Sequence, residues 1–199
     1  MTGVSIIYFV FLILAAYMIG SFPTGLILGK LYGIDVRKAG SGNVGATNLY
    51  RTVGRKIGII TLIVDCLKGL VPVLVVISLG QSIEFAAFVG FSAFCGHVFS
   101  IFLKFRGGKG VATALGVFLA LAPMAVTLAI ALFALIKFRW RYVSLGSILA
   151  AASMPFGVFF MGGNKSVNIV TLIIALIVIL RHNENIRRLI SGTENKFKA

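Results

Sequence analysis

The sequence predicts an all-α integral membrane protein of seven transmembrane helices, and three observations carry the prediction. Mean hydropathy is +1.04. Hydrophobic residues make up 59% of the 199 positions and charged residues only 12%, whereas a soluble domain is about half apolar and about a quarter charged. The third observation is the length of the uncharged runs, since about 18 or more consecutive apolar residues mark a membrane span. Residues 4–29, 85–103, 110–136 and 142–164 carry no Lys, Arg, Asp or Glu. Residues 57–79 are interrupted only by Asp65 and Lys68, and 166–180 form the last run. Nothing remains for a soluble domain, so one transmembrane domain over residues 1–199 is expected.

The amino end has no positive region ahead of its apolar run, because Lys30 is the first charge. No small-x-small cleavage site follows, so the first run is read as a retained span. Net charge is +14. In a soluble chain that would suggest nucleic acid. Here the basic residues sit in short connections, where they set orientation and attract anionic lipids or substrates. No nucleic-acid partner is expected.

Sorting these residues fixes the topology. Lys30, Arg37, Lys38, Arg51, Arg55 and Lys56 follow the first span. Lys104, Arg106 and Lys109 follow the third. Lys137, Arg139 and Arg141 come next, and Arg181, Arg187, Arg188, Lys196 and Lys198 form the tail. Of 19 basic residues, 17 fall in these four groups, leaving Lys68 and Lys165. The positive-inside rule places the groups in the cytoplasm and the amino end outside. Residues 110–136 join two such groups, so they must cross twice, with the break at Leu121-Ala122-Pro123. Each half is then about 20 Å of helix against a core of about 30 Å. One unbroken helix would give six spans and place Arg139 and Arg141 outside.

Three polar segments fall on the inner face. The first is Gly40-Ser41-Gly42-Asn43-Val44-Gly45-Ala46-Thr47-Asn48, followed by Arg51. Glycines let backbone N–H groups turn toward an anion, and a helix starting near Ala46 would add its N-terminus. Ala46 stands where a Walker A loop has its lysine, and no strand precedes it, so a nucleotide site is rejected. The second, Arg106-Gly107-Gly108-Lys109-Gly110-Val111-Ala112-Thr113, is a glycine-rich turn with a cation opening the next span. Its backbone amides suit phosphate, although such a turn can also be only a basic connector. The third is the tail from Arg181 to Ile190, in which His182 and Asn185 share a helix face. A solvated basic end is the plainer reading there, chiefly for Arg187 and Arg188. Arg141, Tyr142, Ser144 and Ser147 meet the same face.

Within the spans, Asp65 and Lys68 are read as a mutual ion pair holding spans together. His97 is read as a hydrogen-bond partner of a neighbouring helix. Cys66 and Cys95 are read as buried thiols without catalytic work, and no zinc spacing occurs.

These motifs, in this order and over the whole chain, resemble the bacterial acyl-phosphate-dependent glycerol-3-phosphate acyltransferases. The Ser-Gly-Asn-Val-Gly-Ala-Thr-Asn core is the specific element. The resemblance implies a seven-span acyltransferase of the bacterial cytoplasmic (inner) membrane, its active site on the cytoplasmic face. The implied reaction moves a fatty acyl group from acyl phosphate to the 1-hydroxyl of sn-glycerol 3-phosphate. Lysophosphatidic acid and phosphate result, in the first acylation of phospholipid synthesis. By resemblance, Ser41, Gly42, Asn43, Thr47, Asn48 and Gly108 would hold the acyl phosphate. Arg51, Lys109, Ser147, His182 and Asn185 would bind glycerol 3-phosphate. No metal or other cofactor is implied. Membrane lipid is a partner, and a functional link to the enzyme that makes acyl phosphate stays open.

Missing motifs narrow the mechanism. Position 102, five beyond His97, is Phe102, and five beyond His182 is Arg187, so neither histidine belongs to a His-x4-Asp acyltransferase motif. No Ser–His–Asp set or cysteine nucleophile presents itself. An activated donor lets binding, orientation and charge supply most of the rate. The proton acceptor is either a substrate phosphate oxygen or His182. An anion transporter would place its polar groups near the bilayer midplane instead. A purely structural membrane protein would leave two anion-type loops unexplained.

Overall fold

The computed structural model describes residues 3–197, so Lys198 of the basic tail lies outside the described residues. No strand occurs among them. The chain forms two compact units, one up to Ala120 and one from Leu121.

The first unit contains α1 (Gly3–Ser21), α2 (Thr24–Leu31), α3 (Ala46–Thr52), α4 (Arg55–Ser78) and α5 (Ile83–Val98). It ends with α6 (Val111–Leu121), which runs up to the division. The first apolar run is not one straight helix. It breaks at Phe22-Pro23, where proline has no N–H to continue the ladder, and restarts at Thr24. Lys30 therefore lies in the last turn of α2 rather than in a loop, where a cation favours the helix dipole.

The helices of this unit meet at backbone distance. A Cβ at Gly20 would collide with the Ala93 carbonyl, and one at Gly96 with the Tyr17 carbonyl, which seams α1 to α5. Gly69 and Gly116 do the same between α4 and α6, against the Thr113 and Cys66 carbonyls. Small residues serve this purpose in membranes, where lipid tails are as apolar as the helices and association rests on close packing and interhelical hydrogen bonds. Cys66 and Cys95 are free thiols, half-buried rather than fully buried.

The second unit contains α7 (Pro123–Trp140), α8 (Val143–Phe160), α9 (Lys165–Leu180) and α10 (Asn183–Ile190). Among the described residues five segments are long and apolar enough to cross a membrane: Ile6–Leu31, Arg55–Ser78, Ile83–Leu103, Pro123–Trp140 and Val143–Phe160. The pair Lys165–Leu180 and Asn183–Ile190, bent by 55°, makes a sixth. The protein is a multi-pass membrane protein.

The break expected within residues 110–136 is present, with Pro123 opening α7 after Ala122 at φ −151° and ψ 62°. The two halves are not equal. Helix α6 has 11 residues and α7 has 18, or about 16 and 27 Å. The asymmetry arises because Lys137 and Arg139 lie in the last turn of α7 rather than in a loop. Cations there favour the helix C-terminus. The helix stops at Arg141, whose φ of 64° is left-handed.

Candidate active site

In the first unit the site begins with one buried side chain. Asn48 on α3 is 2% exposed. Its amide nitrogen donates to the carbonyls of Val36 at 3.0 Å, Ala39 at 3.1 Å and Asn43 at 2.8 Å. Its amide oxygen accepts from the Ser41 N–H at 2.9 Å. The loop of residues 36–45 is thus wound around Asn48. Gly40, at φ 61°, must be glycine on two counts, since a Cβ would also strike Asn48 Oδ1. Val36, Val44 and Leu49 press the loop onto Leu26 and Ile57, forming one buried cluster.

Ser41 and Gly42 are exposed, while Asn43 and Thr47 are half-buried on the same turn. Helix α3 does start at Ala46, with Gly45 as a cap that offers no side-chain acceptor. Arg51 is exposed in its last turn. Upstream, Arg37 grips Asp35 through Nε at 2.9 Å and Nη2 at 2.8 Å. Those side-chain hydrogen bonds hold the Asp35 carboxyl well below the usual carboxylate range, and they neutralise Arg37 locally.

The loop of residues 104–110 is built differently from expectation. The N–H of Gly107 donates to the Val98 carbonyl at 3.0 Å, and that of Gly108 to the His97 carbonyl at 3.2 Å. The last carbonyls of a helix need such donors, so these two amides close α5 instead of facing an anion. Gly108 lies close under the His97 ring, which a Cβ there would force to shift. What this segment offers a phosphate is Lys109, half-buried, and the first turn of α6.

In the second unit, His182 is 3% exposed and Asn185 6% exposed, so neither lies on a solvated tail. His182 closes α9 and opens α10, with Nδ1 2.7 Å from the Val178 carbonyl. A carbonyl can only accept, so the neutral ring carries its proton on Nδ1, leaving Nε2 as the acceptor nitrogen. Ser147 is buried on α8, its hydroxyl donating to the Val143 carbonyl at 2.9 Å.

Glu194 is the residue missed by the sequence reading. Its carboxylate accepts from Ser144 Oγ, Asn185 Nδ2 and Arg188 Nε, each at 2.7 Å. Burial opposes its ionisation, but the hydrogen bonds from Ser144, Arg188 and Asn185 prevail and hold its pKa below the usual value. Arg188 is therefore a partner of Glu194 rather than a solvated charge, while Arg187 is exposed. The tail is fastened again where the Phe197 N–H donates to the Arg141 carbonyl at 2.6 Å. Glu194, one of two glutamates in a basic, polar tail, gave no periodic signal by which to find it.

Comparison with known proteins adds an independent line. The profile of the family described as glycerol-3-phosphate acyltransferase matches residues 10–192. A glycerol-3-phosphate acyltransferase of Trichlorobacter lovleyi is 65% identical over 189 residues, covering 95% of this chain and 97% of that protein. One from Geobacter sulfurreducens is 59% identical, covering 92% and 95%. The crystal structure of PlsY (YgiH), an integral membrane glycerol 3-phosphate acyltransferase in its glycerol 3-phosphate form, superposes with a TM-score of 0.92. Identity there is 39%, over 96% of each chain. Its lysophosphatidic acid form gives 0.89 at the same identity and coverage. With its motifs, its helices and its full-length relatives in agreement, the chain belongs to the glycerol-3-phosphate acyltransferase family.

Proposed function

We propose that this protein transfers a fatty acyl group from acyl phosphate to the 1-hydroxyl of sn-glycerol 3-phosphate. The products are lysophosphatidic acid and inorganic phosphate. The observation that carries the reading is the pair of preformed cation-bearing loops in a chain of this family. Both substrates are phosphorylated, so the reaction needs two anion sites near one carbonyl. Solved forms of the related PlsY are described with glycerol 3-phosphate and with lysophosphatidic acid.

In the mechanism, the glycerol 3-phosphate hydroxyl oxygen attacks the acyl carbonyl carbon and the carbon–oxygen bond to phosphate breaks. The hydroxyl proton passes to a phosphate oxygen of the substrate, with His182 Nε2 as the competing acceptor. Ser41, Gly42, Asn43 and Thr47 hold the acyl phosphate, with Asn48 shaping their loop and Gly108 setting the backbone beside Lys109. Arg51 and Lys109 face the phosphate of glycerol 3-phosphate, and Ser147, His182 and Asn185 place that substrate. On this reading the acyltransferase domain is the whole chain, residues 1–199. No bound metal is needed, because phosphate is already a good leaving group.

The chain makes seven passes on this reading, the six apolar segments above plus Val111–Leu121. Its amino end is outside, and its carboxyl end and active site are on the cytoplasmic face of the bacterial inner membrane.

Purified protein given palmitoyl phosphate and glycerol 3-phosphate should form lysophosphatidic acid and release phosphate. Equal rates with palmitoyl-CoA would exclude the donor assignment. External labelling of a cysteine placed at position 43 or 195 would reverse the topology.

A further inference from the structure

The first unit holds a small polar cavity at the break between α1 and α2, bordered by Ser21, Thr24, Asp65, Lys68, His97 and Ser100. Asp65 is 2% exposed, Lys68 5% and His97 8%. Lys68 Nζ donates to Asp65 Oδ1 at 2.6 Å and to the Phe22 carbonyl. The hydroxyls of Ser21 and Thr24 are buried and have no partner among the described residues. An ammonium has three protons, and buried hydroxyls without protein partners are the usual setting of an ordered water. The acyl-transfer reading uses none of these side chains, yet burying an ion pair is costly.

The attachments of the pair suggest its task. The Asp65 carbonyl accepts from Thr113 Oγ1 at 2.9 Å, in the first turn of α6. Asp65 Oδ1 lies 3.9 Å from His97 Nδ1, and His97 in turn carries Gly108 through its carbonyl and its ring. In the other direction, Lys68 holds the Phe22 carbonyl immediately ahead of α2. Gly25 of α2 lies directly against the Val44 carbonyl of the 40–48 segment, and Val44 itself borders the cavity. One ion pair therefore reaches both glycine-rich loops.

We infer that the Asp65–Lys68 pair, hydrated through the Ser21 and Thr24 hydroxyls, is a positioning device that sets the two loops relative to each other. Asp65, Lys68 and Thr113 are positioning residues for acyl transfer. The inference rests on the assignment of those loops to the substrates.

The test uses full-length protein in lipid nanodiscs. Replacing both charges, Asp65→Asn with Lys68→Met, leaves no unpaired buried charge, so the helices should persist by circular dichroism. Amide exchange in residues 39–48 and 106–110 should quicken by about tenfold or more, and kcat/KM should fall by about the same factor for both substrates. Unchanged exchange in either loop would overturn the inference, as would a lowered Tm with kinetics intact. Should the double variant not fold, Thr113→Val and Thr113→Ser decide the matter. Valine should loosen residues 106–110 and cost activity, and serine should restore both; identical behaviour of the two would overturn the device. Lys109→Ala, run alongside, separates the premise. Full activity there would remove the substrate assignment, while the exchange data still judge the device.

Discussion

Two clamps organise the polar parts of this protein, and they are built from opposite materials. In the first unit a neutral amide, Asn48, binds a loop by three carbonyls and one N–H. In the second, an anion, Glu194, binds a tail to α8 and α10 by three donors. Hydrogen bonds to a charged group are worth roughly 1.5–3 kcal/mol, against about 1 for a neutral one. The neutral clamp makes up the difference in number and burial. What separates the two is sensitivity: an amide does not titrate, and a carboxylate does.

The largest expected effect is at the neutral clamp. Asn48→Ala strands several buried carbonyls and should lower kcat/KM by more than about 100-fold at every pH, given roughly 1–3 kcal/mol per unsatisfied group. Asn48→Asp should do no better, because a carboxylate cannot donate to three carbonyls; near-normal rates in either variant would remove the clamp from the argument. Next comes Lys109→Ala, which loses one charge-assisted contact to a dianion. Steady-state kinetics should show about a 10- to 150-fold loss in kcat/KM, corresponding to roughly 1.5–3 kcal/mol.

Glu194→Gln keeps shape and removes charge, so about a tenfold loss at neutral pH is expected. The charged clamp also predicts a pH dependence with a definite sign. The Glu194 pKa is lowered on folding, so its stabilisation is complete above the ordinary carboxylate range. That stabilisation is lost as pH falls through the folded value. Protection factors of the amides in residues 193–197, taken against the intrinsic exchange rate at each pH, should therefore fall in acid in the wild type, and Glu194→Gln should remove that dependence. A tail that loosens equally in both proteins would contradict the sign. The smallest effect belongs to His182→Gln. If the ring only positions substrate, the loss should stay under about tenfold with an unchanged pH profile. A wild-type acid limb near neutral pH that vanishes in this variant would make His182 the base.

The membrane character, the apolar segments and the break at Pro123 were legible because hydropathy and proline act locally. The start of α3 at Ala46 was legible for the same reason, as was the Asp65–Lys68 pair, which is close in sequence. What escaped the sequence depends on distant partners. The Gly107 and Gly108 amides looked like anion donors, and the unpaired carbonyls of α5 claimed them instead. Arg188 looked solvated until Glu194 returned to meet it. The halves around Pro123 looked equal because basic residues were counted as loop, although two of them fit the last turn of a helix.

The close seams of the first unit have a consequence for genetics. At Gly20, Gly69, Gly96 and Gly116 a single added carbon would meet a backbone carbonyl rather than a movable side chain. Such positions admit no gradation: alanine, the mildest substitution available, is already too large. Lipid-facing residues such as Phe88 and Leu74, which are 52% and 46% exposed, accept any apolar replacement of similar polarity. A saturation library selected for growth should therefore show a one-letter alphabet at each of these positions, set within helices whose outer faces drift freely.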